Sequence, residues 1–407
     1  MSYPRRLARV LAACGFVLLL ASVGQAVTLY TQNFDVNDTA NWTVNGGPAD
    51  EAANFFFDYS QAGIPSAPSS TGGSTRGLNL QANMSAGVLG GFSVSPTGKN
   101  FSDSYKLRFD WWSNFNGPAP AGGNGSTQLS TFGVGTSGTV VQWPGGVQDS
   151  IWFAATGDGN ASTDWRAFSS AAPTGYAANS GVYAAGTSVS PDSRNSVHPH
   201  YAGFGSLMAP SAQRLSFPQQ TGTTVVGSAA FEWHAVEIAK LGPTVTWKVD
   251  GLPIATVTAP LSGGNIFFGH SDTNATSSSD INDVNLLFTL IDNVVVSSTT
   301  LGDFDENDEI ELTDYLNLSS HLHTNLAGLP AAQAYLMGDM TLDQVIDGRD
   351  FVAFRIAYDN ANGTGAFVAM LNAIPEPSTG LLAALGCGAG SFLCRLGSTP
   401  SRRRQSN

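Results

Sequence analysis

The stretch Val245-Thr246-Trp247-Lys248-Val249-Asp250-Gly251-Leu252-Pro253-Ile254-Ala255-Thr256-Val257 decides the fold class. Val245 to Val249 and Ile254 to Val257 are two short apolar-rich runs on either side of Asp250-Gly251. An Asp-Gly step between such runs favours a tight turn with positive φ at both central residues, so a hairpin is expected here. Working outward, short apolar runs broken by Gly, Ser, Asn and Pro continue from Val27 to about Thr300. They predict strands at Tyr30–Phe34, Lys106–Trp112, Thr139–Trp143, Ser150–Ala154, Ala230–Ile238, Thr244–Val249, Ile254–Thr258, Asn265–Phe268 and Leu286–Val296. Pro118–Ser130 and Ser169–Ser190 read as long loops. This region is therefore expected to be an all-β sandwich.

Downstream the chemistry changes. Asp303 to Asp359 holds twelve acidic and two basic residues, concentrated in two loops of identical spacing. The first runs Asp303-Phe304-Asp305-Glu306-Asn307-Asp308-Glu309-Ile310-Glu311-Leu312-Thr313-Asp314. The second runs Asp339-Met340-Thr341-Leu342-Asp343-Gln344-Val345-Ile346-Asp347-Gly348-Arg349-Asp350. Each places oxygen side chains at positions 1, 3, 5, 9 and 12, the ligand spacing of an EF-hand-type loop for calcium, a hard cation that takes six to eight oxygens. After each loop, apolar residues recur at helical spacing: Leu312, Tyr315, Leu316 and Leu322, then Phe351, Phe354 and Tyr358.

Two loop–helix units 36 residues apart, without a full entering helix before the first, resemble the type I dockerin over Gly302 to Tyr358. The resemblance implies two calcium ions. One would be held by Asp303, Asp305, Asn307, Glu311, Asp314 and the Glu309 carbonyl, the other by Asp339, Thr341, Asp343, Asp347, Asp350 and the Val345 carbonyl. It also implies helices that bind a cohesin-like partner. The chain departs from the family at position 6, where Asp308 and Gln344 replace the usual glycine, and Thr341 is a weaker ligand than Asp. Positions 10 and 11, which help to select the cohesin in that family, are Leu312-Thr313 and Gly348-Arg349; they differ, against symmetric two-faced binding.

In the first region, Phe231 to Ile238 followed by Val245 to Gly251 resembles the concanavalin A-like (laminin G-like) jelly roll. Leu290 to Val296 looks like its closing strand, expected to pair near Leu29–Phe34. The resemblance implies a glycan or protein ligand. Jelly-roll glycosidases need two carboxylates flanking the sugar bond. Only Glu51, Glu232 and Glu237 are glutamates here, and the last two fall on opposite faces of a regular strand. Asp110 and Asp292 are the aspartates that could serve instead. His198-Pro199-His200 reads as plain loop, and His234 and His270 as structural. Trp111, Trp112 and Trp165 are candidates for stacking on sugar, although Trp111 and Trp112 must point opposite ways.

The ends carry targeting signals. Arg5, Arg6 and Arg9 precede the apolar run Val10–Val23, and Gly24-Gln25-Ala26 puts small residues at the cleavage positions, as in a Sec-type signal cleaved after Ala26. Pro375-Glu376-Pro377, the apolar stretch Leu381–Leu396 and Arg402 to Arg404 resemble the PEP-CTERM sorting signal of bacterial exported proteins. That resemblance implies an exosortase as processing partner and transient anchoring in the membrane. The three cysteines, Cys14, Cys387 and Cys394, all lie in these ends, so the exported part has no disulfide framework. From Val27 to Ile374 there are 11 basic and 30 acidic residues, a net of −19 that disfavours nucleic acid as partner.

The expected organisation is a signal peptide at 1–26, a jelly-roll sandwich at 27–300, a dockerin-like α-helical calcium module at 301–360, a linker at 361–373 and a sorting tail with its membrane segment at 374–407. The function expected from it is that of a non-catalytic protein of the cell surface or extracellular matrix. A polysaccharide-degrading enzyme carrying a dockerin is the alternative, and a purely structural envelope protein the second alternative.

Overall fold

The computed structural model describes residues 26–374, apart from 47–49, 83, 85–89, 102–103, 118–127, 145–148, 160–162, 170–179, 186–196, 273–284 and 330. The export signal (but for Ala26) and the sorting tail (but for Ile374) lie outside the described residues, as do most of the two long loops expected from sequence. No helix among the described residues is long and apolar enough to cross a membrane.

Among the described residues there are fifteen strands: β1 Thr28–Gln32, β2 Trp42–Asn45, β3 Glu51–Asp58, β4 Arg76–Ala82, β5 Gly90–Pro96, β6 Ser104–Asn114, β7 Gln128–Thr136, β8 Ile151–Thr156, β9 Trp165–Phe168, β10 Tyr183–Ala185, β11 Trp233–Leu241, β12 Thr244–Val249, β13 Leu252–Thr258, β14 Asn265–Asp272 and β15 Phe288–Ser298. They form two sheets. One has the order β13-β12-β11-β6-β15-β4-β3, with β1 also pairing with β15, and the other β10-β9-β8-β7-β14-β5-β2. Among the described strands all pairings are antiparallel except β10 with β9. The chain is thus mainly β, with the expected sandwich.

The β12–β13 hairpin forms as its turn residues dictate, with Asp250 at φ 51° and Gly251 at φ 76°. Strand β6 shows how period-2 alternation positions the rest. Tyr105, Leu107, Phe109 and Trp111 enter the core between the sheets, while Lys106, Arg108, Asp110 and Trp112 lie on the opposite, outer face. The closing strand β15 pairs with β1, Tyr30 lying opposite Val296.

The structure corrects several expectations. Thr139–Trp143 is not a strand. Its backbone is held by side chains, the Gln142 N–H donating to Ser93 Oγ at 3.0 Å and the Gln142 amide donating to Asp149 at 2.7 Å. Strands β5 and β7 (Gly-Gly-Phe-Ser-Val-Ser-Pro and Gln-Leu-Ser-Thr-Phe-Gly-Val-Gly-Thr) lie outside the expected set: both are buried at every position, yet their glycines and serines carry the composition of turns, although Phe92-Ser93-Val94-Ser95 and Phe132-Gly133-Val134-Gly135 do alternate. Strands β7 and β10 also intrude on the stretches read as loops.

The α-helices among the described residues are α1 Ser211–Ser216, α2 Leu312–His321, α3 Ala331–Leu336, α4 Gly348–Asn362 and α5 Ala366–Ala373. Residues 361–373, expected as a linker, instead end α4 and carry α5. Phe367 of α5 is buried against Phe351, Phe354 and Tyr358, and Asp359 accepts its N–H at 2.8 Å. Around it, Phe304, Ile310, Leu318, Ile346 and Phe354 form a separate small core.

Candidate calcium loops and the groove beside them

The two acidic loops fold alike, almost bond for bond. At position 1, Asp303 accepts from the N–H groups of Asn307 (3.0 Å) and Asp308 (2.8 Å). Its counterpart Asp339 accepts from Asp343 (3.2 Å) and Gln344 (2.8 Å). At position 12, Asp314 accepts from the N–H groups of Asp305 (3.4 Å) and Glu311 (2.9 Å), and Asp350 from Thr341 (3.0 Å) and Asp347 (2.8 Å). Position 7 binds back to position 5 in both, Glu309 N–H to Asn307 Oδ1 (2.8 Å) and Val345 N–H to Asp343 Oδ1 (3.1 Å). Position 9, Glu311 or Asp347, caps the following helix in a reciprocal box with position 12. At position 8, Ile310 and Ile346 enter the small core.

Positions 4 and 6 are left-handed in both loops: Glu306 at φ 62° and Asp308 at 71°, Leu342 at 57° and Gln344 at 65°. That is the backbone for which glycine is usual, and a side chain there costs on the order of 1–2 kcal/mol.

The loops differ where a cation would sit. In the first, oxygens of Asp303, Asp305 and Asp314 all lie within 4.8 Å of one another. Three converging carboxylates on a preformed loop suit calcium, which takes hard oxygen ligands at 2.3–2.6 Å. Burial, with the charges of Asp305 and Asp303 adding to it, pushes the Asp314 carboxyl up to about 6. Burial likewise raises Asp303, although Lys106 opposes the shift. Among the described residues, no second group of three meets the same distance. In the second loop, Arg349 occupies the carboxylates instead, at 2.6 Å from Asp343 and 3.1 Å from Asp347. Hydrogen bonds to Arg349 hold Asp347 below its ordinary value. The Thr341 hydroxyl is also engaged, 3.0 Å from Asp350.

The first loop lies against the outer face of the eight-stranded sheet. A groove of about 920 Å³ runs between them, lined by Asn33, Arg108, Asp110, Glu237, Lys248 and Asn293 from the sandwich side and by Asp305 and Glu306 from the loop. Glu237 stands directly across from Arg108 and Lys248 in the sheet, at 2.7 Å and 3.7 Å. Asp110 accepts from the Ser69 N–H (3.0 Å) and the Asn293 amide (2.8 Å). Its cross-strand partner Asp292 accepts from Tyr59 (3.0 Å) and Ser70 (3.1 Å). Burial, with the Asp110 charge adding, pushes Asp292 up to about 7.

The stacking tryptophans are corrected: Trp111, Trp112 and Trp165 are at most 2 % exposed and pack among other aromatics. Trp111 and Trp112 do point opposite ways, but the outer face is itself covered by a second apolar cluster containing Tyr59, Phe231 and Trp233. The histidines are held by neighbours, and Pro199–Tyr201 forms a short 3-10 helix capped by His198 where a plain loop was expected. His234 bridges Asp250 (2.7 Å) and the Ala229 carbonyl (2.8 Å). His270 bonds Thr289 and Gln128, and burial pushes it down to about 3. His200 bonds the Pro253 carbonyl. Sequence reasoning missed Arg108, Lys248 and Asn293, although alternating charges in Lys106-Leu107-Arg108-Phe109-Asp110 signal a polar outer face.

No family model matches this chain. No curated protein matches it either. Among solved structures, it is similar to a protein of unknown function with a galectin-like fold from Bacillus subtilis, at 10% identity and a TM-score of 0.33, over 68% of this chain and 98% of the other. The carbohydrate recognition domain of Emp47p gives 9% identity and a TM-score of 0.31, over 67% and 97%. A Bacillus licheniformis β-glucanase gives 11% and 0.31, over 68% and 98%. The sandwich assignment rests on the strand order described above.

Proposed function

We propose that this chain is an exported, non-catalytic protein of the cell surface or matrix, whose sandwich binds a glycan in the outer groove. A dockerin-like module, stabilised by two calcium ions, would join it to a cohesin-like partner. The observation that carries this reading is the pair of loops with matching hydrogen bonds 36 residues apart, one of them already gathering three carboxylates. The ions would be held by Asp303, Asp305, Asn307, Glu311 and Asp314 with the Glu309 carbonyl, and by Asp339, Thr341, Asp343, Asp347 and Asp350 with the Val345 carbonyl. Exposed apolar residues on the helices, Leu312 and Leu316 on α2 and Val352 and Ile356 on α4, support a protein partner there. In the groove, paired acids, bases and amides suit the hydroxyls of a sugar, which accept and donate hydrogen bonds alike. Export by a Sec-type signal and processing by an exosortase belong to the same reading.

A glycan array probed with the purified chain tests the groove. Binding should fall at least about tenfold in Asn293→Ala or Glu237→Ala; binding unaffected by both would remove the groove from the account. One observation favours the enzymatic alternative: Asp110 and Glu237 share the groove on neighbouring strands. Reducing-end release from a polysaccharide panel, lost in Asp110→Asn with folding intact, would decide for it.

A further inference from the structure

The left-handed acids of the first loop have a use that calcium ligation does not require. Positions 4 and 6 are not ligand positions, yet Glu306 contacts Lys248, and Asp308 contacts both Lys106 (2.9 Å) and Arg108. All three cations come from the sandwich, from β6 and β12, and Lys106 is only 5 % exposed. Lys106 also lies 3.5 Å from Asp303. The second loop has Leu342 and Gln344 at the same positions, so it carries no equivalent pair of acids.

We infer that the first calcium loop docks on its own chain: its two outward acids fit the Lys106–Arg108–Lys248 patch of the sandwich, and calcium in that loop sets the docking that builds one wall of the groove. Without a cation, Asp303, Asp305 and Asp314 repel one another within 4.8 Å. A bound cation would offset that repulsion and hold the three in the converged arrangement, in which positions 4 and 6 project toward the sheet. The loop's partner is thus the sandwich itself, while the exposed faces of α2 and α4 remain free for a second molecule. Asp308 in place of glycine follows from this use, since its side chain gains two cations in return for a strained backbone.

The inference rests on the calcium reading of the loops, so calcium uptake is measured separately by calorimetry. Zero-length carbodiimide coupling of the full chain, followed by peptide mass spectrometry, reports the docking as amide links from Lys248 to Glu306 and from Lys106 to Asp308. Both links should rise at least about fivefold from chelator to millimolar calcium. The rise should persist in Asp350→Asn, which touches the second loop, and vanish in Asp314→Asn, which touches the first. Equal yields with and without calcium, in a chain that calorimetry shows to bind it, would overturn the inference and spare the calcium reading. No calcium uptake would overturn both.

Discussion

The two acidic loops share a fold but not a state of readiness. Each closes on buried aspartates at positions 1 and 12, each caps a helix with position 9, and each sends an isoleucine into one small core. In the first, three carboxylates converge and the outward acids grip the sandwich. In the second, Arg349 holds two of the expected ligands and Thr341 is turned to Asp350. The backbone hydrogen bonds define the loop, and the remaining side chains would decide how well it could hold a cation.

Chelation should have the largest effect on this comparison. Calcium at one hundred times Kd stabilises the state that binds it by about 2.7 kcal/mol. Chelator is expected to lower the melting temperature of the module around Phe354 and Phe367 below that of the sandwich, giving two thermal transitions in place of one. A single transition unmoved by calcium would break the account. Next comes Asp314→Asn, which should weaken the tighter site by about a hundredfold through loss of a ligand charge. Arg349→Gln should instead strengthen the weaker site, roughly three- to tenfold, by freeing Asp343 and Asp347. Calorimetry of each variant gives the direction.

Protons sharpen the contrast further. The Asp314 carboxyl at about 6 must lose its proton to bind calcium, so affinity at the first loop should be constant above about pH 7 and fall as pH drops through 6. In metal-free protein this group acts with the opposite sign. Its folded value lies above the unfolded one of 3.8, so its contribution favours folding at low pH and is lost as pH rises through 6. Thermal midpoints at pH 5 and 7.5, with and without chelator, separate the two signs. The smallest effect is expected at position 6. Gln344→Gly should stabilise the module by up to about 1 kcal/mol by relieving a left-handed backbone, whereas Asp308→Gly should not, since it also removes the contacts to Lys106 and Arg108.

Much of this was legible in the sequence. The Asp250-Gly251 hairpin and the polar–apolar alternation of β6 and β12 act through local rules, and so does the ligand spacing of both loops. Strands β5 and β7 were not legible, because their glycines and serines have the composition of turns and only burial between neighbouring strands shows them to be interior. Helix α5 was missed because only contact with Phe354 and Tyr358 shows that Phe367 belongs to the core. The groove was beyond reach for a related reason: it brings Asp305 and Glu306 against Arg108 and Lys248, residues separated by up to about 200 positions, and spacing along a chain carries no trace of that. The tryptophans were legible in direction and not in exposure.

Calcium titration calorimetry of the full chain tests the central claim most directly. The account predicts uptake of two ions with unequal affinities, the tighter one lost in Asp314→Asn and retained in Asp350→Asn. No uptake at millimolar calcium, or a tighter site that survives Asp314→Asn and disappears in Asp350→Asn, would contradict it.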